Sequence, residues 1–165
     1  MSENGHRTRT FTWRDPMPSA QLARERSGME VLQAMMDGTV GAPPIADTLG
    51  MSLVTFEEGR AVFAVEPAEW MYNPIGSVHG GIAATLLDSC MGCAIHTTLP
   101  AGVGYATSDL QIRYSRGITV ETGRIVAEGT VVHAGRRLAT AEGRLTEAAT
   151  GKLLAHATTA CILIG

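Results

Sequence analysis

The sequence predicts an α+β fold in which an antiparallel β-sheet wraps around one long central α-helix. Three observations carry that prediction. The run from Ile82 to Thr98 is apolar almost all the way round, too short to cross a bilayer and too apolar for a surface helix. From Ala106 onward the pattern switches to runs of strand-forming residues separated by turn residues. A further pair of strand-like runs precedes the helix, and no internal repeat or low-complexity tract competes with this order.

The elements follow from the residues in turn. Residues 1–18 mix Arg, Thr, Asp and Pro without periodicity and read as an extended or mobile arm. Residues 19–37 start at a possible Ser19 cap, and Leu22, Met29, Leu32, Met35 and Met36 approximate one apolar face of a surface helix. Gly41-Ala42-Pro43-Pro44 breaks it, and Ile45 to Leu49 forms one more turn. SLVTF and RAVFAVE then read as a hairpin about a Glu-Glu-Gly turn. After Pro67 comes an irregular, turn-rich stretch ending in His79-Gly80-Gly81, and then the central helix.

In the strand after the helix, Thr107, Asp109, Gln111 and Arg113 alternate with Ser108, Leu110, Ile112 and Tyr114, so simple parity puts Thr107 on the polar side. ITVETGRIVAEGTVVH is long for one strand, and its two glycines suggest a bend or bulge. Turns at 133–136 and 150–152 lead into strands over Arg137–Glu147 and Leu153–Leu163. Residues 1–40 are thus an arm plus surface helix, and 41–165 a single domain.

Composition excludes several functions. A net charge of −3 leaves no basic footprint for nucleic acid. No apolar run approaches the ~20 residues of a membrane span, and no hydrophobic leader opens the sequence, so a cytoplasmic protein is expected. Three cysteines form no secreted framework. Cys90 and Cys93 form a CxxC inside the predicted helix rather than at its N-terminus, where a redox thiol would be activated, and further ligands with zinc-site spacing are lacking. No metal or redox cofactor is expected.

Asp88 stands out chemically. No Lys or Arg occurs between Arg60 and Arg113, and Asp88 sits among Leu86, Leu87, Cys90 and Met91 in a helix otherwise free of charge. A carboxylate there costs free energy unless something binds or uses it. At the helix start, Gly80 and Gly81 let a ligand approach backbone N–H groups that have no partner within the helix, which makes an oxyanion site. Seven residues, about 10 Å of helical rise, separate Gly81 from Asp88, whereas reacting atoms must come to about 3 Å. Two antiparallel central helices in a homodimer would bring Asp88 of one chain to Gly80 and Gly81 of the other, twice over. Asn73, in the loop before the helix, is a candidate to hold a water or an acyl carbonyl. His79 is a candidate to bond the loop or the ligand, Thr107 to orient water, and Arg136 and Arg137 to meet phosphates.

The segment NPIGSVHGGIAATLLD, from Asn73 to Asp88, resembles the signature of the PaaI-like hotdog-fold thioesterases. TSDLQIRY, a later GRRLA turn and strand, and a closing TGKLLAHAT strand follow in that family's order, so the resemblance spans roughly residues 45–163. It implies a long helix wrapped by an antiparallel sheet, dimers often paired into tetramers, and hydrolysis of acyl-coenzyme A at the dimer interface. By position it implies Asp88 as the catalytic carboxylate, Gly80 as oxyanion donor, Asn73 in the acyl-binding loop and Thr107 as a water-placing residue. Ser115-Arg116-Gly117 departs from the Arg-Pro or Ser-Pro of many members. The expected function is an acyl-CoA thioesterase acting on a small aromatic or a short- to medium-chain acyl group. The alternative is an acyl-CoA binding or sensing module on the same fold, although no helix-turn-helix is present to couple it to DNA.

Overall fold

A computed structural model describes residues 5–165; the first four residues of the predicted arm lie outside it. Residues 5–16 form no regular element but lie against the body. Arg7 pairs with Glu69 at 2.7 Å, and the Arg9 guanidinium sits 3.5 Å from the centre of the Trp70 ring.

The single surface helix expected over 19–37 is two helices, α1 (Met17–Glu25) and α2 (Gly28–Met36). Ser27 splits them. Its hydroxyl accepts from the Glu30 N–H while the Glu30 carboxylate accepts from the Ser27 N–H, a capping box that starts a new helix. Ser19 is no cap; it lies inside α1, buried, with its hydroxyl donating to Gly41 O at 2.9 Å. The apolar face also differs from expectation, since Val31 and Leu32 are buried while Met36 is exposed. Pro43 and Pro44 start the short α3 (Pro44–Leu49).

The hairpin forms as predicted, with β1 (Ser52–Glu57) and β2 (Arg60–Val65) joined at Glu58-Gly59. The central helix α4 spans Gly80–His96. After it come β3 (Gly104–Tyr114), β4 (Ile125–Ala134), β5 (Leu138–Glu147) and β6 (Leu153–Ile164). All six strands form one antiparallel sheet in the order β1-β2-β4-β5-β6-β3, which leaves β1 and β3 as its edges.

The sheet curls over α4, and Leu86, Leu87, Cys90, Met91 and Ile95 carry the helix into the core. Each such side chain contributes about 1.5–3 kcal/mol on full burial. Gly129 of β4 and Gly143 of β5 face each other across the ladder and make a flat seat for the helix. A Cβ at Gly129 would lie 2.5 Å from Cys90 O. Gly129 is therefore a helix seat rather than the predicted bend. Gly123, at φ +65°, does turn the chain into β4.

The helix is not covered all round, contrary to the expectation from its composition. Gly81, Thr85, Asp88, Ser89, Cys93 and His96 remain only half-buried, in a stripe of helical spacing that the sheet meets only at its β3 edge, through Tyr105 and Thr107.

Candidate active site

Asp88 lies at the middle of that half-buried stripe. The Thr107 hydroxyl donates to Asp88 Oδ1 at 3.0 Å. Parity had turned Thr107 away, and a β-bulge reverses it. Thr107 pairs with Cys161 while Asp109 pairs with Ala160, so Ser108 is one residue extra on β3. Tyr105 and Thr107 on one side of the bulge therefore share the helix-facing side with Leu110, Ile112 and Tyr114 on the other. Among the described residues no Lys or Arg pairs with Asp88.

Asp88 and Thr107 stand on the wall of a cavity of about 550 Å³ between α4, the β1–β2 hairpin, β3, α2 and α3. Leu32, Met35, Met51 and Phe63 supply much of its apolar lining. Its ionisable residues are Asp47, Asp88, Cys93, His96 and Tyr105, with no Lys or Arg. Burial pushes the His96 pKa down, which favours the neutral imidazole. Burial pushes the Cys93 thiol up to about 12, opposed by the hydrogen bond from Tyr105 and helped to a lesser degree by the Asp88 charge. The CxxC thiols are thus protonated and inert as nucleophiles at neutral pH. Cys93 lines the cavity, whereas Cys90 is fully buried against the sheet.

The helix start occupies a second, separate concavity of about 320 Å³, lined by His79, Gly80, Ala83, Tyr114 and Arg116 among others. His79 caps the helix by accepting the Gly81 N–H on Nδ1 at 2.9 Å, which fixes its remaining ring proton on Nε2 when neutral. The Gly81 amide is therefore not free, a correction to the expectation of two open donors. Among the described residues the Gly80 N–H has no acceptor. Tyr114 lies against Gly80 and its hydroxyl donates to Gly80 O at 3.0 Å, holding that peptide from the other side.

Asn73 is committed to its own turn. Its Oδ1 accepts from the N–H groups of Ile75 and Ser77, and its Nδ2 donates to the Ser77 hydroxyl at 3.0 Å. These contacts make it the organiser of the loop before α4 and leave one Nδ2 proton unassigned among them. Arg136 and Arg137 are exposed in the β4–β5 turn and in no ion pair among the described residues. Sequence reasoning missed Tyr114 and the cavity wall formed by α2. Tyr114 gave no local signal, since a strand-end tyrosine is common.

A 17-residue helix cradled by six antiparallel strands, with a single carboxylate on its half-buried face, defines a hotdog-fold protein. The sequence profile of the thioesterase superfamily matches residues 75–153. Human acyl-coenzyme A thioesterase 13 is 32% identical over 64% of this chain and 74% of its own length. A putative thioesterase from Ralstonia eutropha, a phenylacetic acid degradation-related protein, superposes with a TM-score of 0.72 at 26% identity, over 79% of this chain and 97% of that one. The PaaI protein of Escherichia coli shares the fold with a TM-score of 0.72 at 22% identity, over 84% of this chain and 94% of that one. The chain belongs to the thioesterase superfamily. Among the described residues no helix is long and apolar enough to cross a membrane.

Proposed function

We propose that the protein hydrolyses acyl-coenzyme A thioesters at a site shared by two copies of the chain. One observation carries this reading: Asp88, held by Thr107 and free of a cation, and the open Gly80 amide lie in separate concavities of one chain. Eight residues of helix correspond to about 12 Å of rise, too far for both to act on one carbonyl. The half-buried face of α4 around Gly81, Thr85 and Asp88 and the outer edge of β3 supply a surface for a two-fold partner. Antiparallel pairing of two α4 helices would set Asp88 of one copy opposite Gly80 of the other, and a further pairing into a tetramer is compatible with it.

In this site the Gly80 N–H, at the positive end of α4, stabilises the oxygen of the thioester carbonyl as charge develops. Thr107 holds Asp88 Oδ1, leaving the other carboxylate oxygen to take a proton from water as the new C–O bond forms. The C–S bond then breaks, and the proton passes from Asp88 to the departing coenzyme A thiolate. Direct attack by Asp88, giving an anhydride that water hydrolyses, uses the same groups in the same places. His79 and Tyr114 position the Gly80 peptide, and Asn73 positions the loop leading to it. Arg136 and Arg137 are available for the nucleotide phosphates. No metal or cofactor takes part in this reading.

The test is complementation. Asp88→Ala and a Gly80 variant, each inactive alone, should regain about a quarter of wild-type activity per site when unfolded and refolded together, because statistical mixing restores one complete site per heterodimer. Absence of any recovery while the mixed dimer forms would refute the shared site.

A further inference from the structure

The superfamily match over 75–153 does not reach α2 or α3, yet these two helices and the start of β1 form the outer wall of the Asp88 cavity. The wall is graded. Leu32 is buried at 1% exposure, Met35 is half-buried, and Met36 and Ile45 stand at the rim, each 47% exposed. From this arrangement we infer that the cavity takes an uncharged, flexible acyl chain of medium length and that α2, through Leu32 and Met35, sets the length admitted. The inference rests on the reading of Asp88 as the group that acts on the thioester.

Charge decides the class of acyl group. A carboxylate or phenolate on its far end would meet Asp47 and Asp88 and no Lys or Arg. An anion desolvated without a partner is strongly disfavoured. Size and texture narrow it further. At about 30 Å³ per water-sized group the cavity has room for about 18 groups, more than a single aromatic ring fills and enough for a chain of about ten carbons together with the thioester and the first atoms of the coenzyme A arm. Methionine walls are unbranched and adapt to a flexible chain rather than defining a flat slot.

A length gauge must also stand still, and α2 is fixed by its start. The Ser27–Glu30 capping box sets its first turn, and the Gly28 N–H donates to Leu99 O at 3.1 Å. A side chain at Gly28 would run into the carbonyl of His96, so only glycine lets α2 approach the end of α4 this closely. Wall and carboxylate are thereby tied to the same helix.

Hydrolysis of straight-chain acyl-CoAs from butanoyl to hexadecanoyl tests the gauge in the intact protein. The expected kcat/KM rises about fourfold per added CH2 and breaks near decanoyl, where the chain meets Leu32. Met35→Trp should move the break to shorter chains and Met35→Ala to longer ones. Affinities of S-alkyl coenzyme A thioethers, which cannot be hydrolysed, should break at the same length in Asp88→Asn protein. A break that stays put in both Met35 variants, or thioether affinity indifferent to length, overturns the inference. Equal hydrolysis by Asp88→Asn and wild type would instead sink the catalytic reading, with the thioether series still reporting on the gauge.

Discussion

Replacing Gly129 by alanine should lift the central helix α4 off its seat. The new Cβ would lie 2.5 Å from Cys90 O and 2.6 Å from both Cys90 C and Met91 N, whereas ordinary contact begins at 3.4 Å. The obstacle is backbone, so helix or strand must move by about 0.9 Å, the difference between 3.4 and 2.5 Å. Overpacking of this kind costs about 1–3 kcal/mol. The lower entropy of the unfolded alanine chain returns about 0.5 kcal/mol, leaving about 2 kcal/mol. For a chain of this size that lowers Tm by about 4–8 °C. Gly143→Ala is the control, because its Cβ would meet side-chain atoms of Met91 and Leu87 rather than backbone, at 3.0–3.1 Å, and these need to give by only a few tenths of an ångström. Its Tm should stay within about 2 °C of wild type. Asp88 is two residues from the displaced carbonyl, and a misplacement of about 1 Å can cost up to ~100-fold in rate, so kcat of Gly129→Ala should fall about tenfold. Calorimetry and steady-state hydrolysis of one acyl-CoA would measure both effects. Equal Tm shifts in the two glycine variants, or full activity in Gly129→Ala, would refute the reasoning.

Removing the Thr107 hydroxyl as Thr107→Val deletes the hydrogen bond to Asp88 and should lower kcat by about tenfold to a hundredfold, from the ~1.5–3 kcal/mol of a bond to a charged group. KM and Tm should change little, and unaltered kcat would show that the bond is incidental. Alkaline pH should destabilise the fold through the CxxC. Burial raises the Cys93 thiol to about 12 in the folded chain from 9.0. Above pH ~9 the unfolded chain therefore binds fewer protons than the folded one, and stability falls with pH by up to about 1.4 kcal/mol per unit per thiol, until the folded thiol also ionises. Cys93→Ala should flatten the fall in Tm between pH 9 and 11 measured by scanning calorimetry, and an unchanged slope would sink the assignment.

Much of the fold was legible because its strongest signals are local. The long, uniformly apolar run of α4, the Glu-Glu-Gly hairpin and the turns before β5 and β6 are written in neighbouring residues. Ser27-Gly28-Met29-Glu30 was also legible as a capping box, but an apolar period running through it favoured one unbroken helix. Strand adjacency across the chain was not, since β3 pairs with β6 rather than with a sequence neighbour. The site divides the same way. Asp88 and Gly80 were visible from their surroundings, and the proposal of a site shared by two chains rests on helical rise. The role of Asn73 depends on which atoms its turn brings near, and the Gly81 donor depends on the rotamer of His79. The cavity needed α2 folded back onto α4, a long-range packing that no local pattern states.

Ser108 gives β3 two phases. Before it, odd-numbered residues look toward the helix, and after it, even-numbered residues do. The strand thereby faces the Asp88 cavity at one end and the start of α4, through Tyr114, at the other. A chain that lost Ser108 and kept everything else would retain both hydroxyl and carboxylate, yet one of the two halves would face the wrong way. In this strand a hydroxyl reaches a carboxylate by counting. Its length therefore says more about the site than its percentage identity does.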